Sequence, residues 1–550
     1  MSTDVLLIED LSQQRLPART LAAVLQRGGL GVQLAHFNGD ASAVILLAQH
    51  ERPRLIIFSI LFADRIPEHL TLITALRQSG VPAHTTLVGP LPSFAAAELL
   101  AACPALDSVL CGEAETHVVQ LASSLCHSEA QRGDEHLHLQ VLVSRSPETE
   151  TLRRFAAEGD KSTVPGLACR SPTQDFHSAA LRRPYNPPTK AGTPEKARLD
   201  LDQLPFPLHD DGLPGYAGYG FATLESSRGC YHACTFCLPC AFYRAAGSPY
   251  RLRSIGNVVD EIESLYHQGA RLFLFDDEQF LPPGRARVQR VEALGNELER
   301  RKLRIAFTVK CRADDVETAL FRRLQEMGLL RVYIGIESGC QGTLDLLGKG
   351  VTVQRNAEAL AALDELGIVA GFRSLLFHPW STLETLQADV AFLQSVLPRV
   401  STGFNFQEVQ VYPGTPLAAR LRAEGRGAND PWPMPYTIAD PRAELLRRLN
   451  RIVFASSGAH AKLCDVLTQA WFDLLLQRRF QPQQFSADRA RQLKVTTART
   501  NAESLGVWRE MLAFASKGNL YDADQVNAHA GNWAGRVNQA LAPLFASCCS

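Results

Sequence analysis

The chain has 550 residues, enough for two to four domains, and is 46% hydrophobic and 21% charged, an ordinary globular composition. Its 56 basic and 57 acidic side chains leave a net charge of −1, which excludes a global electrostatic preference for nucleic acid or an anionic membrane. No apolar run approaches the roughly 20 residues that span a bilayer, and MSTDVLLIED reads as a start running into a strand, so a reducing cytoplasm is expected for the 13 cysteines.

Residues 1–130 alternate strand and helix. The runs DVLLIE, VQLAHF, RLIIFSI, HTTLVGP and SVLCGE are short and β-rich. Helical periodicity lies between them in LPARTLAAVLQRGG, HLTLITALRQSG and SFAAAELLAAC. This alternation predicts an α/β fold with a doubly wound, Rossmann-like parallel sheet. Such sheets bind ligands at the carboxyl ends of their strands, so the candidate loops are Ser59–Arg65, Gly89–Ser93 and Gly112–Glu115. Residues 131–205 are polar and rich in Ser, Pro and Thr. They read as a linker with short strands, VPGLACR among them.

Residues 206–430 alternate again. FATLES, RLFLFDD, RIAFTVKCR, RVYIGIES, GFRSLLFH and FNFQEVQVY are strand candidates separated by helical segments, which predicts a partial (β/α)6 barrel. Catalytic groups then gather at the carboxyl ends of its strands. After the first of these strands comes SSRGCYHACTFCLPC, in which Cys230, Cys234 and Cys237 are spaced C-x3-C-x2-C. Three thiolates at that spacing suit a [4Fe–4S] cluster and leave one iron without a protein ligand. Simple electron transfer needs no such open iron; binding and cleaving a small molecule does. The alternative is a zinc knuckle, for which His232 and Cys240 lie close enough to compete.

Further along, FDDEQF places Asp276, Asp277 and Glu278 after the second strand, and VKCRAD places Arg312 after the third. IGIESG places Glu337 and Ser338 after the fourth, and LLFHPWST carries His378 and Trp380. Each is also readable as a loop residue satisfying backbone donors. Cys103, Cys111, Cys126, Cys169 and Cys464 read as small buried hydrophobes, and Cys311 and Cys340 as packing residues. Residues 431–550 carry helical periodicity in AELLRRLNRIVFAS, KLCDVLTQAWFDLLLQRRF and ESLGVWREMLAFASK, with Trp471, Phe472, Trp508 and Phe514 as expected core. Cys548 and Cys549 fall in the polar tail ASCCS and read as exposed thiols.

The cysteine loop after the first barrel strand, with Phe236 just before the third cysteine, resembles the radical S-adenosylmethionine (SAM) superfamily. The α/β domain ahead of the barrel, with LVGPLPSF and VLCGEAET, resembles that of the cobalamin-dependent (class B) members. LDLDQLPFP and VYPGTPL are similar to family segments flanking the barrel, so the resemblance covers residues 4–420 or so. It implies that SAM chelates the open iron and is cleaved to a 5′-deoxyadenosyl radical by one electron. Phe236, Asp277, Arg312, Glu337 and Ser338 are the implied SAM contacts, and His378 and Tyr412 are catalytic candidates. Cys240 is then a bystander, because a fourth thiolate would block the open iron. The implied cobalamin contacts are Ser59, Phe62, Arg65, Gly89, Pro90, Ser93, Gly112 and Glu113.

Two departures stand out. The chain has no D-x-H-x-x-G, whose histidine ligates cobalt in methionine synthase and the mutases. Either cobalamin binds with no histidine beneath cobalt, Arg65 or Phe62 filling that face, or the domain binds no corrin. LLFHPWST also stands where relatives often carry a G-x-P-G-E-T-like turn. The implied activity is methylation of an unactivated carbon of a small, secondary-metabolite substrate. It implies cobalamin as methyl carrier, a flavodoxin- or ferredoxin-type electron donor, a helical carboxyl-terminal domain covering the substrate, and neither nucleic acid nor membrane as partner. A cyclase, rearrangement or oxidative enzyme without methyl transfer is the alternative, and a non-catalytic cobalamin or iron–sulfur sensor the third.

Overall fold

The computed structural model describes residues 3–11, 16–126, 167–169, 199–209, 212–404, 406–427, 433–454, 458–517 and 523–549. They fall into two compact units. One comprises residues 1–212, 237–249 and 411–435; the other comprises 213–236, 250–410 and 436–550.

The first unit is built on β1 (Val5–Asp10), β2 (Val32–Phe37), β3 (Leu55–Ser59), β4 (His84–Val88), β5 (Ser108–Leu110) and β6 (Leu167–Cys169). The sheet order is β2-β1-β3-β4-β5-β6, all parallel except β6, which runs antiparallel to β5. Side chains alternate faces along a strand, and both faces are dry here. Val5, Leu7, Leu55 and Ile57 pack under the helices Leu16–Arg27 and Val118–Cys126. Leu6, Ile8, Ile56 and Phe58 pack under Ala41–Glu51, Ile66–Gln78 and Ala96–Ala102. This two-sided burial is why the strands read as unbroken apolar runs. The order reverses between β1 and β3, the switch point at which such sheets take ligands. Within VPGLACR, Leu167–Cys169 form a strand, β6, while the rest of 127–198 lies outside the described residues. Leu204 and Leu208 pack on the core, and Arg19 Nη1 donates to the Leu208 carbonyl at 3.1 Å, so this stretch is fastened to the sheet.

The second unit carries β7 (Gly215–Tyr216), β8 (Tyr219–Leu224), β9 (Ser227–Gly229), β10 (Tyr250–Leu252), β11 (Ala270–Phe275), β12 (Ala306–Arg312), β13 (Leu329–Glu337), β14 (Val369–Phe377) and β15 (Phe406–Glu408). The main sheet runs β15-β14-β13-β12-β11-β8-β7, with six parallel strands and the short β7 antiparallel at one edge. These are the six expected barrel strands. Phe307, Val309, Val332, Ile334, Ile336, Ala370 and Leu376 point outward into a core shared with the helices. The alternate positions, Thr308, Lys310 and Arg312, then Tyr333, Gly335 and Glu337, then Gly371, Arg373 and Leu375, point to the inner face.

The carboxyl-terminal helices are Pro441–Val453, Ala459–Phe480, Ala487–Ser516 and Ala523–Cys549. The last, not foreseen because glycines and Pro543 interrupt it, buries Val526, Ala530, Trp533, Val537, Leu541 and Leu544 at helical spacing. It contains Cys548 and Cys549, so their stretch is not an irregular tail; their side chains lie outside the described residues. The contacts of this region reach both ends of the barrel strands: Arg451 holds Glu408 at the end of β15 at 2.6 Å, and Tyr436 OH donates to Phe377 O at the end of β14 at 3.1 Å. Arg479 donates to the carbonyls of Ile305, Glu326 and Met327 at 3.1, 3.0 and 2.8 Å, and Arg478 to that of Gly367 at 3.3 Å. Those carbonyls lie just before β12, β13 and β14, so the end of Ala459–Phe480 closes the amino-terminal rim. Asn501 fixes the entry to β15 through Phe404 N and Thr402 O at 3.1 and 3.2 Å.

Candidate cofactor sites

The strand end that delivers the cysteines is fastened by buried acids. Asp277 accepts from Ser226 N at 2.8 Å and from the hydroxyls of Ser226 and Ser227 at 3.3 and 2.6 Å. Burial pushes its carboxyl up to about 6, the Ser227 hydroxyl opposing. Glu278 accepts from Gly229 N at 2.9 Å and is pushed up to about 7 by burial and the neighbouring Glu225. Asp277 is fully buried and saturated by donors from its own scaffold, which removes it from the SAM contacts and makes it a fastener of the loop. On the far side, Thr235 donates through N to Leu347 O at 2.9 Å and through its hydroxyl to Leu346 O at 3.0 Å.

Within this frame Cys230 and Cys234 are buried, and neither is in a disulfide. Arg312 Nη1 lies 3.6 Å from Cys234 Sγ, while its Nε holds Asp314 at 2.9 Å and its Nη2 donates to the Lys349 carbonyl. Lys349 is 4% exposed and pairs with Glu337 at 3.1 Å. Burial works to lower its pKa, and Glu337 together with Cys234 outweighs this and raises it. Fixed cations beside a thiol favour the thiolate, the form that binds iron. By its chemistry, thiols beside fixed cations, this loop suits an iron–sulfur cluster, while among the described residues no three His, Cys, Asp or Glu side chains are gathered as around a metal ion; Arg312 has its place beside Cys234. Cys237 caps the helix Leu238–Ala245, in which Cys240 is buried; that helix belongs to the first unit, where Leu238 enters the core. Burial drives the Cys311 thiol well above its ordinary range, as befits a packing residue.

At the end of β13, Glu337 adopts φ 63°, a left-handed conformation rare for a side-chain-bearing residue and frequent at functional sites. A Cβ on Gly335 would come within 2.6 Å of Glu337 Oε1 and 2.8 Å of Lys349 Nζ, so the glycine makes room for that pair. Ser338 is fully buried, donating to Asp389 at 2.6 Å and accepting from Cys340 N at 2.9 Å. It therefore shapes the turn and has no free hydroxyl for SAM. His378 is likewise buried at 2% exposure. Its Nδ1 accepts from Trp380 N at 3.2 Å and its Nε2 lies 3.3 Å from the Thr343 hydroxyl, so both ring nitrogens are held by the scaffold. Phe236 is half-buried. Tyr412 packs on the first unit's core, and its carbonyl accepts from Thr415.

In the first unit the expected loops do lie at the carboxyl ends of β3, β4 and β5. Gly89 has φ 124°, and a Cβ there would meet Ile60 O at 2.4 Å. The Ser93 hydroxyl donates to Gly89 O at 2.7 Å and accepts from Gly112 N at 3.0 Å, tying the β4 and β5 loops together. Pro90 opens the turn between them, and Glu113 is half-buried beside Gly112. Ser59 ends β3 buried, and Phe62 is left 43% exposed after it. Arg65 is not a lone cation: it holds Asp10 at 2.9 Å and Glu68 at 2.5 Å, and Asp10 is 3% exposed. His69 is fully buried and hydrogen-bonded through Nδ1 to Arg65 O at 2.8 Å, and burial lowers its pKa, so it is a neutral core residue. Asp10, Lys349 and Asp389 were not singled out from sequence, where a lone acid or lysine in an ordinary run gives no signal.

Two family models match. Residues 12–122 match the B12 binding domain, and residues 224–393 match the radical SAM superfamily. The chain carries a B12 binding domain followed by a radical SAM domain. The two domains imply a [4Fe–4S] cluster, SAM and cobalamin as its cofactors. Among curated relatives, hopanoid C-3 methylase of Methylococcus capsulatus is 23% identical over 381 residues, 67% of this chain and 62% of that protein. Anaerobic magnesium-protoporphyrin IX monomethyl ester cyclase of Rubrivivax gelatinosus is 26% identical over 313 residues, 55% of this chain and 47% of that protein. The chain spans about half the length of the curated relatives it matches, as in that cyclase and in a Pyrococcus horikoshii methyltransferase, 52% of which is covered. Among solved structures, the cobalamin-dependent SAM radical enzyme OxsB with aqua-cobalamin bound aligns at a TM-score of 0.62 and 16% identity, over 99% of this chain and 84% of that one. At that identity it speaks for the fold, carboxyl-terminal helices included.

Proposed function

We propose that this cobalamin-dependent radical SAM protein is a C-methyltransferase acting on a small molecule, with the relative hopanoid C-3 methylase as the observation that carries the reading. Bound cluster and cobalamin supply, respectively, the electron that cleaves SAM and a carrier for its methyl group. This chain's residues do the rest. Cys230, Cys234 and Cys237 hold iron. Arg312 and Lys349 sit beside Cys234 and favour its thiolate. Glu337, held by Lys349 in a left-handed turn, would offer a carboxylate oxygen to the hydroxyl or amino groups of SAM. The Gly89–Ser93–Gly112 clasp and exposed Phe62 form the corrin cradle, Arg65 and Asp10 bracing its floor. The electron donor is of flavodoxin or ferredoxin type, the compartment the cytoplasm, and nucleic acid has no part. No described helix is long and apolar enough to cross a membrane.

The test is anaerobic incubation of reconstituted protein with SAM and a strong reductant. Formation of both S-adenosylhomocysteine and 5′-deoxyadenosine supports methyl transfer. A second reading, radical cyclisation or oxidation without methyl transfer, is favoured by the magnesium-protoporphyrin cyclase relative. It requires 5′-deoxyadenosine alone. Neither product would leave a binding protein.

A further inference from the structure

On the inner face of the partial barrel the cations are answered by neighbours, with one exception among the described residues. Lys310 holds Asp276 at 2.6 Å, Arg312 holds Asp314 at 2.9 Å and Lys349 holds Glu337 at 3.1 Å. Arg331 lies 4.3 Å over the Tyr333 ring. Arg373, midway along β14 and in register with Gly335 of β13, is exposed, and its side chain makes neither a hydrogen bond nor an ion pair. Its strand is inside the sheet, with β13 on one side and β15 on the other, and the opposite face of β14 is packed by helices. Its exposure is therefore to the hollow of the barrel.

The space around it is shaped. Gly335 and Gly371 carry no side chain; a Cβ on Gly371 would lie 3.0 Å from Arg331 and 3.4 Å from the Tyr333 ring. The Tyr333 ring, in register with Gly371, is 41% exposed to the same hollow. A guanidinium without a partner, beside a tyrosine ring that is 41% exposed to the same hollow, is suited to a molecule with an anionic end and an apolar body, since the guanidinium fork matches carboxylate and phosphate oxygens two at a time. We propose that Arg373 binds a carboxylate or phosphate group of the molecule that occupies the barrel, with Tyr333 against that molecule's apolar part. This rests on the radical SAM reading above and narrows its substrate class to anionic small molecules. The same chemistry has a second source, the carboxylate of SAM itself.

The test uses cluster-reconstituted, cobalamin-loaded protein in phosphate-free buffer, anaerobically. The parent, Arg373→Gln and Arg373→Lys are titrated calorimetrically with inorganic phosphate and, separately, with SAM. Phosphate binding that falls roughly tenfold or more in Arg373→Gln, is partly kept in Arg373→Lys, and leaves SAM affinity within about twofold assigns Arg373 to the substrate's anion. A roughly tenfold loss of SAM affinity instead assigns it to the SAM carboxylate. Equal affinities of parent and Arg373→Gln for both probes, with matching thermal unfolding, overturn the proposal. 5′-deoxyadenosine formation by the parent is read in parallel, so failure of the radical SAM reading is seen separately.

Discussion

Gly89→Ala is the sharpest test of the corrin cradle. Gly89 sits at φ 124°, and an added Cβ would lie 2.4 Å from Ile60 O, about 1 Å inside ordinary contact. With ψ 176° this is an extended, positive-φ conformation essentially confined to glycine, and it costs a side-chain-bearing residue about 1–3 kcal/mol. Relieving the clash must also part the loops after β3 and β4, where Ile60 N donates to Val88 O at 3.0 Å, a bond contributing about 1 kcal/mol. Together these come to about 3 kcal/mol, on the order of 100-fold in binding where the strain is concentrated at the ligand loop. Gly29 is a matched control in the same unit: φ 84°, with nothing within 4 Å of an added Cβ. Titration with cobalamin, followed by absorbance, should show Gly89→Ala weakened on the order of 100-fold and Gly29→Ala little changed. If both variants bound cobalamin alike, the cradle would not be at these loops.

Four further outcomes follow. Replacing Cys230, Cys234 or Cys237 with Ala should abolish the cluster, while Cys240→Ala should keep roughly four irons per chain after reconstitution, as iron and sulfide assays will report. Arg65→Ala should strand the Asp10 carboxylate and cost about 3 kcal/mol, lowering S-adenosylhomocysteine more than 5′-deoxyadenosine; the double variant with Asp10→Asn should recover much of the stability in denaturant titration. Lys349→Gln should free Glu337 and remove a cation from Cys234, weakening cluster retention during gel filtration more than Lys349→Arg does. Asp389 is pushed up to about 6 from 3.8 by burial, so the folded protein binds its proton more readily than the unfolded chain. Its contribution is full below about pH 4 and lost as pH rises through about 6. Asp389→Asn should flatten denaturation midpoints across that window, and an unchanged slope would remove Asp389 from the account.

Much of the architecture was legible because it is written in periodicity. The five strands of the first sheet and the six of the partial barrel are apolar runs bounded by helices, and the cysteine motif and strand-end loops carry their own spacing. What was not legible is tertiary. Ala41–Glu51 is apolar nearly all round, so no stripe marks it. Asp277, Ser338 and His378 have the right identity at strand ends, but partners distant in sequence or packed beneath them use up their polar atoms. Arg65 looked like a lone cation until Asp10, 55 residues earlier, came beside it. Lys349 and Arg373 matter only through what the sheet register sets beside them, Glu337 and Cys234 in one case and an unfilled inner face in the other.

The central claim is that one chain uses SAM in two ways, as methyl donor and as radical source. The direct measurement is S-adenosylhomocysteine and 5′-deoxyadenosine, quantified together under strong reductant, for the cobalamin-loaded parent, for cobalamin-loaded Cys234→Ala and for cobalamin-free parent. The account predicts both products from the parent, S-adenosylhomocysteine alone from Cys234→Ala, and 5′-deoxyadenosine alone without cobalamin. S-adenosylhomocysteine formed equally with and without cobalamin would contradict it.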